Sequence, residues 1–311
     1  MLNLLLLSAA IIFLSYAVHS GFKYTRMINN IFSSLVYSST SEFLPSSLGE
    51  KITILDSSDQ EIEALFIESH HSNKIIIFCH ESGATKDSWE RYAYFLPNLG
   101  FKILSVDFRK KNSDDEKNVL SQWPVREDVQ RLLTIVRWCK KAFQQEMDIV
   151  LFGVSNGADI AFAASFEDAT IKAVITDGLF SMKEIFRDYI RKWGPILVKP
   201  NLFGQHYPDW IVNIFSSLGF WYCQKKSKRR FVEVERLLRT KHVPLLMIHG
   251  EEDDYVPVSH QKFLEKIGQR KNTLEHLVVP KAKHNQAIIL DAEVYRKNIT
   301  YFLTNLEKRS S

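Results

Sequence analysis

A chain of 311 residues has room for one large domain or two modest ones. Its 45% hydrophobic and 24% charged residues exclude disordered, collagen-like and coiled-coil classes. A net charge of +4, from 40 Lys and Arg against 36 Asp and Glu, lacks the concentrated basic surface of a nucleic-acid binder, and three Cys make no disulfide framework.

The chain opens with an uncharged apolar run, Leu2 to Val18, at the short end of what crosses a bilayer. No basic residue precedes it, so the expectation for residues 1–22 is a single-pass membrane anchor. The alternatives are a signal segment cut near Ser15-Tyr16-Ala17, which leaves a secreted chain, and a buried helix of a soluble protein. Lys23 and Arg26 behind the run favour a cytoplasmic placement of the remaining chain. Residues 23–49, rich in Ser, read as a linker.

A strand rhythm then begins. KITILD (51–56) and EIEALFIES (61–69) flank the polar turn Ser57-Ser58-Asp59-Gln60, which predicts a hairpin. KIIIFCH (74–80) is a continuous apolar run, the mark of a strand buried on both faces. A helix is expected from Trp89 to Leu99, then the strand KILSVDF (102–108). Next come a helix with apolar spacing Val125, Val129, Leu132, Leu133, Val136, and the strand DIVLFGVS (148–155). The helix NGADIAFAASF and the strand IKAVITDG (171–178) come next. After an interruption come PLLMIHG (244–250), a helix over 259–268, the strand LEHLVVP (274–280) and a helix over 286–305. Strands alternating with helices imply βαβ units and a mostly parallel α/β sheet, with ligands at the C-terminal strand ends.

The turns just past those strand ends carry chemistry. Gly153-Val154-Ser155-Asn156-Gly157 is G-x-S-x-G between a predicted strand and a predicted helix. There a sharp turn lifts a serine Oγ above the sheet edge, and a Cβ in place of either glycine collides with the neighbouring strand or helix. A serine hydroxyl needs a base, and the base needs an orienting acid. His284, just past the last strand, is the candidate base, and Asp253, after PLLMIHG, the candidate acid. Asp254 and Asp177 are rivals for the acid role. Of the other histidines, His249 reads as structural, and His242 and His260 as surface residues. The oxyanion hole draws one N–H from Asn156 and one from the turn after the third strand, where Ser82 is the candidate. Cys79 reads as a buried small hydrophobe. No metal-ligand spacing, P-loop or dinucleotide motif occurs, so no metal or cofactor is expected. The sequon at Asn298 falls in a predicted helix and decides little.

Together G-V-S-N-G, H-G-E-E-D-D-Y-V-P and the late K-H-N resemble the serine hydrolases of the α/β-hydrolase superfamily, over residues 50–311. With the apolar N-terminus, the chain looks most like single-pass, membrane-anchored members. The resemblance implies an α/β-hydrolase fold: a mostly parallel sheet of about eight strands, helices on both faces and a small helical cap. The core then spans 50–180 and 241–311, and the cap 181–240. It also implies an ester, thioester or acyl-lipid substrate. Two departures stand out. The family's His-Gly at the oxyanion turn is His80-Glu81 here, which alters the turn, sets a carboxylate near the site, or pairs with a cation such as Lys86. The family's D-x-R-G-x-G loop is Asp107-Phe108-Arg109 followed by KKNSDDEKN.

Aromatic residues of the insertion, among them Phe186, Trp193, Tyr207, Phe215 and Trp221, either line an apolar pocket over Ser155 or pack the cap. Lys225, Lys226, Lys228, Arg229 and Arg230 read as a solvated turn or as a patch for anionic headgroups. Two other functions remain open: a serine peptidase, without a charged selectivity feature or a propeller domain, and a binding protein whose oxyanion hole Glu81 disables.

Overall fold

The computed structural model describes residues 2–34, 48–56, 59–69, 73–108, 123–143, 147–198, 206–240, 242–268 and 274–310. Residues 57 and 58 of the expected hairpin turn, and Arg109 with the KKNSDDEKN run, lie outside them. The chain divides into two compact units, one of Tyr37–Ser181 with Arg230–Ser311, the other of Met1–Val36 with Met182–Arg229.

The first unit is built on strands β1 (Glu50–Leu55), β2 (Glu61–Ile67), β3 (Lys74–Cys79), β4 (Lys102–Val106), β5 (Asp148–Val154), β6 (Ile171–Asp177), β7 (Leu245–Gly250) and β8 (Leu274–Val279). They form one sheet in the order β1-β2-β4-β3-β5-β6-β7-β8. β2 runs antiparallel to β1 and β4, and the other pairings are parallel. This is the α/β-hydrolase fold. The helices, in chain order, are α1 (Leu2–Ser34), α2 (Trp89–Ala93), α3 (Arg126–Ala142), α4 (Asn156–Ala164), α5 (Met182–Leu197), α6 (Asp209–Ser227), α7 (Val234–Leu238), α8 (Ser259–Gly268), α9 (Ala287–Leu290) and α10 (Ala292–Ser310).

The apolar run of β3 has a physical reason. Ile75, Ile77 and Cys79 join one hydrophobic cluster with α3, α4, α7 and α8, while Ile76 and Phe78 join another with α2 and α10. A strand covered on both faces has no polar side. Two helix boundaries differ from the sequence pattern. The helix expected from Trp89 to Leu99 ends at Ala93: Pro97 has no N–H to return to the Ala93 carbonyl, the Leu96 N–H takes that carbonyl at 3.0 Å, and a 3-10 turn covers Pro97–Leu99. The helix expected over 286–305 is two helices. Asp291 separates them, and its Oδ1 accepts the Val294 N–H at 3.0 Å, starting α10 afresh.

The second unit holds α1, α5 and α6. Several of its aromatics pack these helices together: Phe186 meets Phe220 edge-on at 5.9 Å, and Tyr207 and Phe215 pack on Ile190 and Val212, whereas Trp210 and Trp221 are exposed. The helix α1 continues to Ser34, so residues 23–34 are helical where a linker is expected. It lies along α6, where Gly21 faces Phe215. Among the described residues no helix is long and apolar enough to cross a membrane, which overturns the expected single-pass anchor. The apolar stretch of α1 gives way after Val18 to His19, Ser20, Lys23 and Arg26. The expected cleavage stretch at Ser15-Tyr16-Ala17 lies inside this helix. Lys225 and Lys226 occupy the last turn of α6, and Lys228 caps it in the left-handed conformation, where cations complement the helix dipole.

Candidate active site

The strand β5 ends at Val154, and Ser155 turns the chain into α4 with φ 51° and ψ −117°, a conformation that L-residues seldom adopt. The two flanking glycines permit it. A Cβ on Gly153 would sit 2.2 Å from the Gly157 carbonyl oxygen, and one on Gly157 would sit 2.2 Å from that of Cys79. The Ser155 N–H donates to the Asp177 carbonyl at 2.7 Å, tying the turn to the neighbouring β6. Ser155 is buried with its hydroxyl aimed at a histidine: Oγ lies 2.9 Å from His284 Nε2.

The imidazole is held from behind. His284 Nδ1 lies 2.6 Å from Asp253 Oδ2. The other oxygen of Asp253 accepts the N–H groups of Tyr255 at 3.0 Å and Val256 at 2.7 Å. The acid loop is thus wrapped around its own side chain. His249 adds a brace, with Nε2 2.7 Å from the Val256 carbonyl, and burial lowers the pKa of this ring. Asp254, the rival acid, is exposed. Tyr255 packs on the His284 ring at 5.0 Å, and Trp123 stacks on Tyr255 at 6.2 Å with only 4° between the planes. His242 is exposed as expected, whereas His260 is buried at the start of α8.

Asn156 is the first residue of α4, whose leading N–H groups have no acceptor within the helix. The turn after β3 reaches the same sheet edge, since Cys79 pairs with Gly153 and the carbonyls of Cys79 and His80 abut Gly157. Ser82 is half-buried in that turn. The glycine requirement falls on Gly83, with φ 78°, and not on residue 81. Glu81 is buried, 1% exposed, and its Oε1 accepts the Tyr92 hydroxyl at 3.1 Å. Lys86 does not reach it, being bound to Glu63 at 3.1 Å. His80 spans the turn, Nδ1 lying 2.7 Å from the Glu81 carbonyl while Nε2 accepts the Phe108 N–H at 3.1 Å.

Asp177 is buried at the end of β6, and Oδ2 accepts the Tyr295 hydroxyl at 3.0 Å. Burial pushes its carboxyl up to about 7, against the Tyr295 hydrogen bond and the charge of His284; Asp253 and Glu81 add to the rise. The sequence pattern does not single out Tyr92 or Tyr295, because partners distant in the chain leave their hydroxyls without a local signal. Burial raises the Cys79 thiol far above its ordinary value, so it supplies no thiolate. Among the described residues no group of three His, Cys, Asp or Glu side chains can hold a metal ion.

The arrangement is thus a hydroxyl, an imidazole and a carboxylate in hydrogen-bonded series, at a helix N-terminus. Known proteins share its frame. YfhR, an uncharacterized protein of Escherichia coli O157:H7, is 22% identical over 231 residues, 73% of this chain and 69% of its own. YqkD, an uncharacterized protein of Bacillus subtilis, is 21% identical over 253 residues, 79% of this chain and 76% of its own. The Pyrococcus furiosus esterase Pf2001 superimposes with a TM-score of 0.61 at 19% identity, over 88% of this chain and 97% of that one, a likeness of fold. The model of the prolyl oligopeptidase family matches residues 93–309, more than half of the length. The chain belongs to the prolyl oligopeptidase family.

Proposed function

We propose that this protein is a serine hydrolase that cleaves an ester or thioester of a lipid or other acylated molecule through an acyl-enzyme on Ser155. The observation that carries the reading is the continuous series from Ser155 Oγ through His284 to Asp253, at 2.9 and 2.6 Å. His284 Nε2 takes the proton as Oγ attacks the carbonyl carbon. Asp253 keeps the opposite nitrogen protonated and stabilises the imidazolium. The N–H groups of Asn156 and Ser82 receive the oxyanion. His284 then protonates the departing alcohol or thiol, and a water activated by the same ring releases the acyl group.

The test is labelling of the full chain by a fluorophosphonate probe. Labelling is expected in the wild type and absent in Ser155→Ala. A folded wild type that stays unlabelled overturns the reading. A second reading, a peptide bond as substrate, is favoured by the prolyl oligopeptidase family match. Turnover of p-nitrophenyl acyl esters against a prolyl amide separates the two: the ester reading expects kcat/KM to be higher on esters at every chain length tried.

A further inference from the structure

The turn after β3 buries a glutamate where the serine hydrolases it resembles carry glycine, and the proposed triad gives that side chain no task. Glu81 opens a tight turn: its carbonyl accepts the Ala84 N–H at 3.2 Å, and Gly83, third in the turn, has φ 78°. This is the pattern of a type II turn, with Ser82 in second place. The Glu81 carbonyl also lies 2.7 Å from His80 Nδ1, whose ring accepts the Phe108 N–H on its other nitrogen. A peptide unit is planar, with its carbonyl and its N–H pointing opposite ways. Two partners on the Glu81 carbonyl therefore fix the direction of the Ser82 N–H, which takes no part in the bond that closes the turn.

Those partners leave open where the turn stands against the base, and the Glu81 side chain supplies a tie. It is 1% exposed, and its Oε1 accepts the Tyr92 hydroxyl at 3.1 Å, while Oε2 has no hydrogen-bond partner among the described residues. The same hydroxyl lies 3.5 Å from the carbonyl of Asn285, the residue after His284, which is itself left-handed at φ 58°. Tyr92 is fully buried, its ring stacked on Phe78 of β3 at 6.0 Å. A fixed phenol thus stands between the turn that carries Ser82 and the turn that carries the imidazole. Its contact with residue 81 needs only an acceptor oxygen, which a glutamine supplies as well.

We propose, on the reading of Ser155 as nucleophile, that Glu81 and Tyr92 are positioning residues, a side-chain strut that sets the Ser82 N–H against His284. Glycine at residue 81 has nothing with which to make such a tie; here the turn's conformational demand passes to Gly83 and the strut is added. An oxyanion donor counts only where it meets the charge that develops in the transition state, and a misplacement of about 1 Å costs about 10²-fold. Loss of the strut therefore slows the chemical step and leaves the initial binding of a reagent unchanged.

The experiment is labelling of the full chain by a fluorophosphonate over a range of concentrations, which separates the maximal rate from the half-saturating concentration. The phosphoryl oxygen gains charge as Ser155 attacks, so the maximal rate reads the oxyanion donors with no knowledge of the natural substrate. Tyr92→Phe and Glu81→Ala are each expected to lower the maximal rate by about 10- to 100-fold, with the half-saturating concentration unchanged. The double variant is no slower than the slower single one, because the two side chains act as a unit. Glu81→Gln keeps an acceptor for the Tyr92 hydroxyl and recovers most of the rate lost in Glu81→Ala. A role in packing alone leaves the folded fraction labelling at the wild-type rate in every variant. Tyr92→Phe labelling like the wild type, losses that multiply in the double variant, or Glu81→Gln as slow as Glu81→Ala each overturn the proposal. Should Glu81→Ala fail to fold, Tyr92→Phe and Glu81→Gln still decide, since the strut requires the first to be slow and the second fast. A folded wild type that never labels removes the serine-hydrolase reading, and this inference with it.

Discussion

Asp253 and Asp177 each lie at the C-terminal end of a strand or just past it, on the sheet edge that carries the proposed triad, and both are buried, at 5% and 1% exposure. Their partners differ. Three N–H groups aim at Asp253, from Tyr255, Val256 and His284. Among the described residues Asp177 has one donor, the Tyr295 hydroxyl, and burial raises it to about 7. Burial is common to the two carboxyls; what differs is the supply of donors around them. The acid loop encloses its own side chain and gives it the partners that an anion needs. The end of β6 leaves its carboxyl poised between two states.

Substitutions that break or sharpen this contrast rank by size. Asp253→Asn keeps the shape and removes the charge, and is expected to lower kcat on an ester substrate by about 10³–10⁴-fold. A loss below about tenfold would make Asp177 the working acid. Next is the pH dependence of stability. The folded pKa of Asp177 is raised above its unfolded value, so the fold keeps a proton that the unfolded chain releases. Its contribution to stability is therefore full below about pH 4 and falls until about pH 7, by up to about 4 kcal/mol. Asp177→Asn should flatten that slope in urea titrations run across this window. Tyr295→Phe strips Asp177 of its donor and should cost about 1–3 kcal/mol by the same titration. Smallest is His249→Phe, which frees the Val256 carbonyl behind Asp253; a cost of about 1 kcal/mol is expected, with the acid loop otherwise kept.

Much of the site was legible because its residues sit directly after strands. Ser155 follows β5, Asp253 follows β7 and His284 follows β8, and a parallel sheet delivers such positions to one edge. The strand segments were legible as apolar runs or, for β1 and β2, from the turn between them, and for β3 the continuous apolar run also told that both faces are covered. The partners of the second carboxyl were not. Tyr295 is 118 residues from Asp177, on a helix whose pattern marks it as core. Glu81 reads as a departure from glycine; only the structure gives it Tyr92 and moves the glycine requirement to Gly83. The anchor expectation failed because an apolar run at the short end of the bilayer range also suits a helix that packs on its neighbours, as α1 does on α5 and α6.

The backbone at Ser155 has a consequence for engineering. At φ 51° and ψ −117° a side chain is unwelcome, and only a glycine would relax there. Ser155→Gly should therefore melt higher than the wild type while losing its nucleophile, by about 1–3 kcal/mol of released strain. Selecting variants for heat resistance alone would reward that loss, so a thermostabilisation campaign on this scaffold has to screen for turnover at every round.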